Sequence, residues 1–382
     1  MPSPPGREPR ARGFDWPLAG AALALSVIGA VLVWAATRDV VAINRGHPQA
    51  FLYRHVVNIA IAAMLMVGAA RFDARLLRLF GPLMYVASLA GLLAVFAIGS
   101  TVNGAHAWIR LGSGFELQPS EFMKLGMIVG MAVLFTQRAT ERDRNGEHDL
   151  PPTTPDVLLA IGLVAVPLAL VMLQPDLGSA MVLGASALGV LIGAGVRARW
   201  TVGLLLLAVV VAVLAVKGGL LAQYQLQRFA SFTHPNHDVQ GAAYNVTQAH
   251  IAIANGGVFG TGLFHGPQTN GGFVPEQQTD FVFSVAGEEF GLLGGTVIIA
   301  LFAVLCWRGL RIARAADPAG RIVSVGIVCW FGFQAFQNIG MNLGLTPVTG
   351  LPLPFVSYGG SSMFAQGLAI GLLQAVRRRS SS

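Results

Sequence analysis

Long apolar runs separated by short polar segments recur along the whole chain. Ten runs are long enough to cross about 30 Å of hydrocarbon. They lie at roughly 17–37, 52–70, 81–99, 119–137, 157–173, 177–195, 200–216, 281–307, 321–344 and 361–376. A chain in lipid must satisfy its backbone internally, so these runs predict helices. The expected fold is therefore an all-α polytopic membrane protein with ten transmembrane helices. Residues 1–16 form a Pro/Arg-rich tail, 17–376 a single membrane domain and 377–382 (RRRSSS) a second short tail. The first run lacks a small-residue cleavage site leading into a soluble domain, so it reads as a span rather than a signal peptide. The pattern is broken by one long polar stretch, 217–280, between spans 7 and 8; it is rich in glycine, asparagine and glutamine. Within it Ala249–Ala254 (AHIAIA) reads as a short amphipathic element, and the loop as an ordered cap.

Composition sharpens this picture. The 382 residues are 54% apolar and 11% charged, against about a quarter charged in soluble domains. Mean hydropathy is +0.63, more apolar surface than one aqueous core can bury. A soluble enzyme and a nucleic-acid binder are both excluded. The net charge of +7 follows topology instead. With the N-terminus inside and alternating spans, 18 of the 25 basic residues fall on the cytoplasmic side. The outer segments then hold Arg38, Arg45, Arg54, Arg110, Lys217 and Arg228, and Lys124 lies within a span. The positive-inside rule thus places both termini in the cytoplasm and the 217–280 loop outside. Cys306 and Cys329 sit inside apolar runs and form neither a disulfide framework nor a metal-ligand spacing.

Ionisable residues in spans are costly and mark function by default. Glu121 and Lys124, three apart at the start of span 4, share a helix face. They form either a structural ion pair or part of a catalytic site. Asp176, in Gln-Pro-Asp-Leu-Gly between spans 5 and 6, either caps span 6 or meets substrate. Asp280 sits where the long loop enters span 8, with Glu288 and Glu289 about two turns further on, where a structural hydrogen-bonding role is expected. Arg110 lies in the loop before span 4. These charges gather at the depth of the outer leaflet, where an enzyme acting on a lipid-linked head group needs them. The segment Thr346–Ser362, with Pro347, Pro352, Pro354 and the Gly359–Gly360 pair, predicts rigid irregular backbone that is tolerable only when packed in protein or lining a cavity. Ser357 and Gly359 are its candidate substrate contacts.

Several of these segments carry a resemblance. Gln118–Lys124 (QPSEFMK), Gln174–Gly178 (QPDLG), the stretch GAAYNVTQAHIAIANGGVFGTGLFHG, the span entry PEQQTDFVFSVAGEEFGLLG and Asn338–Ser362 (NIGMNLGLTPVTGLPLPFVSYGGSS) resemble the SEDS family (shape, elongation, division and sporulation). The match extends over essentially the whole chain, in the right order. The Asn338–Ser362 run is closer to the rod-elongation member, RodA, than to the division member, FtsW. Two departures are visible: Leu226 stands where some relatives carry a second basic residue, and Asn255 replaces a small residue in a glycine-rich turn.

The resemblance implies a membrane glycosyltransferase that polymerises lipid II into peptidoglycan on the outer face. It implies Asp280 as the essential acid, Glu121 and Lys124 as functionally sensitive residues, and dependence on a divalent cation, Mg²⁺ or Mn²⁺. It also implies a class B penicillin-binding protein and other elongation-complex membrane proteins as partners. Transfer from an α-linked polyprenyl pyrophosphate donor to a β-1,4 product needs a single inverting displacement. One base on the acceptor hydroxyl suffices, together with charge on the departing pyrophosphate. Asp280 is the expected base, or a metal ligand, a duty Glu121 could share. Arg110, Arg228 and Lys124 are the expected phosphate contacts. The competing reading is a lipid II flippase, which midplane charges and broken helices would favour.

Overall fold

The computed structural model describes residues 13–102, 105–110, 116–146, 150–218 and 242–379. Its helices are α1 Trp16–Arg38, α2 Val41–Asn44, α3 Ala50–Ala69, α4 Ala74–Ile98, α5 Pro119–Arg144, α6 Thr154–Leu173 and α7 Leu177–Gly193. They continue with α8 Ala198–Lys217, α9 Ala242–Gly256, α10 Pro267–Gly271, α11 Val282–Ala315, α12 Pro318–Asn342 and α13 Gly360–Arg379. Among the described residues eight helices are long and apolar enough to cross a membrane: α1, α3, α4, α5, α6, α8, α11 and α12. The other two expected spans are helices as well: α7 is apolar with 17 residues, and α13 has 20 and ends on three arginines.

Local sequence sets the helix starts. Asp15 accepts from Leu18 N before Pro17, and Asp317 accepts from Gly320 N before Pro318. Both pair an acidic cap with a proline in the first turn, whose missing N–H costs nothing there. Asp15 does more than cap. It is fully buried and bound by Arg308 at 2.7 and 3.1 Å and by Arg377, so it ties α1, α11 and α13 together at one end.

The bundle is organised around α5 and α12, the most enclosed of the long spans. α12 packs on α7, α11 and α5, while α13 packs on α3. On α13, a Cβ at Gly367 or Gly371 would collide with the carbonyl oxygens of Ala62 or Met66 on α3. Small residues four apart let these backbones touch, the usual device where lipid supplies no hydrophobic drive between helices. By contrast, no residue in the apolar window of α8 is buried.

Two features depart from a purely helical reading. The segment before α5 forms a small antiparallel sheet, β1 Ser100–Val102, β2 Ala105–Arg110 and β3 Glu116–Leu117, with Ser100 opposite Trp108 and Ile109 opposite Leu117. Three strands of two to six residues leave too little alternation to read as strands. The second feature is a break in α11 at Gly291, where φ is +65° and ψ −162°. The 257–262 backbone replaces the lost ladder: Thr261 N donates to Glu288 O, Gly262 N to Glu289 O, and Leu292 N to Gly257 O.

The described part of the long loop is ordered. α9 is a 15-residue helix packed on α11, longer than the six-residue element expected. Its Ala249 and Ala252 join Val274, Phe281, Met341 and Val348 in a second small core. Residues 219–241, and with them Arg228 and Leu226, lie outside the described residues.

Candidate active site

Asp280 is the last but one residue of a tight turn entering α11. The amides of Thr279, Asp280 and Phe281 all donate to Glu276 O, at 3.1–3.2 Å, and Glu276 adopts φ +54° to allow it. The Thr279 hydroxyl donates to Glu276 Oε2 at 2.9 Å and closes the turn. Asp280 remains half-buried.

Two other elements hold this turn from behind. From α12, Asn338 Nδ2 donates to Asp280 O at 2.8 Å and Asn342 Nδ2 at 3.1 Å. Asn342 Oδ1 accepts from Ser284 N at 3.1 Å, and Asn338 also donates to Leu351 O at 2.7 Å. From the Pro-rich segment, Ser357 Oγ donates to Thr279 O and Tyr358 N to Gln278 O at 2.9 Å. Every backbone carbonyl from Gln278 to Asp280 is therefore bound from outside the turn. Such over-determination fixes where the Asp280 carboxylate can point.

Glu121 and Lys124 form a fully buried pair, Nζ to Oε1, at 2.6 Å. Lys124 also donates to Gln334 Oε1 at 3.3 Å and lies 5.4 Å from the Trp330 ring centroid. Gln334 takes a second bond from Trp330 Nε1 at 2.8 Å and donates to Pro352 O at 2.8 Å. Gln334, Asn338 and Asn342 are spaced by four, so they line one face of α12. That amide stripe runs from the ion pair to Asp280, stitching the Pro-rich segment along its length. It is the part of the site that sequence reading missed. Its trace was present: four amides, three of them spaced by four, in a largely apolar run.

The remaining candidates are bound to the scaffold to differing degrees. Asp176 caps α7 through Ser179 N at 2.9 Å, and its other oxygen accepts from Gln118 Nε2 at 2.9 Å, just before α5. Ser357 is buried, donating to Thr279 O and accepting from Leu353 N at 2.7 Å, so its hydroxyl is occupied by the protein. Gly359 O accepts from Ser362 Oγ at 3.2 Å at the start of α13. Arg110 is well exposed at the end of β2 and pairs with Glu116 of β3 at 3.3 Å. Beyond the turn, Glu288 accepts from Gln268 N, Thr269 N, the Thr269 hydroxyl and Asn255 Nδ2 at 2.7–3.4 Å, so Asn255 serves as a donor.

Glu121 does not suit a divalent cation. An ammonium already lies 2.6 Å from one of its oxygens, and a second positive charge there would be repelled. Among the described residues no three acids, histidines or cysteines converge. Asp280 is half-buried rather than enclosed, which makes it the better placed of the two for a hard cation.

Sequence and fold comparisons now bear on this arrangement. Residues 17–382 match the family of cell cycle proteins named for FtsW, RodA and SpoVE. The chain belongs to the SEDS family. Its curated SEDS relatives include a probable peptidoglycan glycosyltransferase FtsW of Alkalilimnicola ehrlichii, 37% identical over 95% of this chain and 89% of the relative. Another is the peptidoglycan glycosyltransferase MrdB of Escherichia coli K12, 34% identical over 93% and 90% of the two chains. A chain solved in work on the structural coordination of polymerization and crosslinking by a peptidoglycan synthase complex is 30% identical and superposes with a TM-score of 0.78. That likeness covers 96% of this chain and 98% of the other. The SEDS fold here is thus that of a mostly helical, multi-pass membrane protein.

Tyr358 lies next to this site in the sequence of the Pro-rich segment. Its ring meets Phe51 edge-on at 5.0 Å, and Arg54 is close enough to act on its hydroxyl. Burial raises its hydroxyl above the usual phenol range, with Arg54 opposing and Glu116 adding to the rise.

Proposed function

We propose that the chain is a peptidoglycan polymerase that extends a polyprenyl-linked glycan with lipid II on the extracytoplasmic side. The observation that carries this reading is the Asp280 turn. A half-buried acid stands at the entrance to a span, its backbone fixed by Asn338 and Asn342 and by the Pro-rich segment. Glycosyl transfer with a good leaving group needs one positioned base rather than two carboxylates. Asp280 takes the proton of the acceptor hydroxyl as that oxygen forms the new glycosidic bond, and the pyrophosphate departs with the electron pair of the broken bond. Arg110 at the rim, with Arg228, supplies positive charge for the leaving group. Lys124 is enclosed and bound to Glu121 and Gln334, so it acts through the amide stripe as a positioning residue.

A Mg²⁺ or Mn²⁺ ion would take Asp280 as its protein ligand, with phosphate and water oxygens completing a hard-cation shell. When bound it would neutralise pyrophosphate charge. Ten spans with both termini cytoplasmic, supported by the arginine distribution, put Asp280 outside. The solved relative from a synthase complex supports a transpeptidase partner of the class B penicillin-binding type.

The Asn338–Ser362 run favours the elongation role. The 37% identity to an FtsW against 34% to MrdB favours the division role as the second reading. Depletion in the native host separates them: rounded cells mean elongation, filaments mean division. The activity itself is tested with purified protein, lipid II and a divalent cation. Long glycan strands are expected from the wild type and none from Asp280→Asn. Wild-type polymerisation by that variant would remove Asp280 from the mechanism. Lipid II translocation into vesicles without polymer would favour a flippase.

A further inference from the structure

α3 and α13 lie side by side in the same direction: Asn58 meets Gly360, Ala62 meets Gly367, and Met66 meets Gly371. The backbone contacts of Ala62 with Gly367 and of Met66 with Gly371 share one register, which sets Asn58 about one turn into α13. On that register His55, three residues earlier, is level with Gly360, and its ring centroid lies 6.0 Å from that of Tyr358, beside the first amides of α13. Helix-start amides have no intrahelical acceptor, and the positive end of the dipole adds to their pull on an anion. His55 is fully buried, yet neither ring nitrogen has a hydrogen-bond partner; Asn58 Oδ1, also buried, has none. A buried imidazole with both nitrogens unmet is a costly arrangement for a side chain that only fills space.

We propose that the N-terminus of α13, His55 and Asn58, with Arg54 and Tyr358 at the mouth, form a subsite for a phosphate group. The amides of Gly360, Ser361 and Ser362 and a ring N–H of His55 donate to its oxygens. Arg54, exposed and near the Tyr358 hydroxyl, supplies the cation at the entrance. The Ser361 hydroxyl takes no part, since it donates to Glu116 O at 2.8 Å and accepts from Gln118 N at 3.0 Å. Glu116 is a nearby carboxylate, and Arg110 pairs with it. Tyr358 N binds Gln278 O, two residues before Asp280, so the subsite adjoins the reactive turn. Its assignment to the phosphate of a polyprenyl-linked substrate, rather than to free phosphate, rests on the polymerase reading; the anion site itself does not.

The test is binding of inorganic pyrophosphate, and of polyprenyl phosphate carried in neutral-lipid vesicles, to the full chain in nanodiscs, with no polymerisation required. His55→Ala is expected to weaken binding at least tenfold, Arg54→Gln several-fold, and His55→Gln, which keeps a donor, less than His55→Ala. Weakening seen with both probes supports the phosphate site, and weakening with the vesicle probe alone supports it with a lipid head group as the source. Unchanged binding in His55→Ala and Arg54→Gln, or no binding to the wild type, overturns it. Arg54 is exposed, so its variant keeps the test decisive if His55→Ala fails to fold. Anion binding by the wild type that His55→Ala weakens, in a protein that makes no glycan, would refute the polymerase reading alone.

Discussion

Asn338 donates its side-chain amide to the carbonyl oxygen of Asp280 at 2.8 Å, coupling the last turns of α12 to the turn that enters α11. Removing that amide leaves the carbonyls of Asp280 and Leu351 without this donor, at roughly 1–3 kcal/mol for each group left unsatisfied. Asn338→Leu is therefore expected to lower the melting temperature and to cut polymerisation more than tenfold through kcat, with KM for lipid II nearly unchanged. Steady-state kinetics on detergent-purified protein check the split.

The Glu121–Lys124 pair leads to a non-additive outcome. Lys124→Met strands a fully buried carboxylate, a loss of about 3–5 kcal/mol where one partner of a buried pair is removed. The double variant Glu121→Gln with Lys124→Met removes the stranded charge and is expected to recover most of that stability. Its activity is expected to stay low, because Gln334 has lost the ammonium that holds its Oε1. Thermal unfolding and glycan synthesis on the four proteins of the cycle measure both effects.

Gly291 permits the break in α11. Its φ of +65° with ψ of −162° is a conformation essentially confined to glycine, and a Cβ would collide with Gly260 N. Gly291→Ala is expected to cost roughly 1–3 kcal/mol of strain, with further loss from displacing the 257–262 backbone. Hydrogen exchange should rise at the amides of Thr261 and Gly262, which bind α11 at the break.

Cation removal bears on Asp280 directly. Chelation with EDTA is expected to abolish polymerisation by the wild type and readdition of Mg²⁺ or Mn²⁺ to restore it, while no concentration of either ion restores it in Asp280→Asn. Glu121→Gln should leave the stimulating concentration unchanged, because the Lys124 ammonium beside Glu121 repels a second positive charge. Metal titration of initial rates distinguishes the two carboxylates.

Much of this molecule is written locally. Apolar runs set the positions of the spans, because lipid admits only a backbone that satisfies itself. Asp15, Asp176 and Asp317 set helix starts through bonds spanning three residues. The i,i+3 spacing of Glu121 and Lys124 made their pairing legible, and Asp280 stood out as an acid at a span entrance. The small sheet before α5 was not legible, since its strands are too short to alternate.

Relations between distant segments required the fold. No local pattern indicates that Asn338 and Asn342 reach back to Asp280, that Ser357 is occupied by Thr279 O and Leu353 N, or that Lys124 meets Gln334. The same holds for His55 beside the first turn of α13, most of the chain away in sequence. Each follows from which helices pack together, and that choice depends on side-chain shape across the bundle, such as Gly367 and Gly371 admitting α3. The sequence alone determined where the apolar helices lie and which acid to examine. Tertiary structure decided what holds that acid in place, because hydrogen bonds between elements depend on distances that hydropathy does not encode.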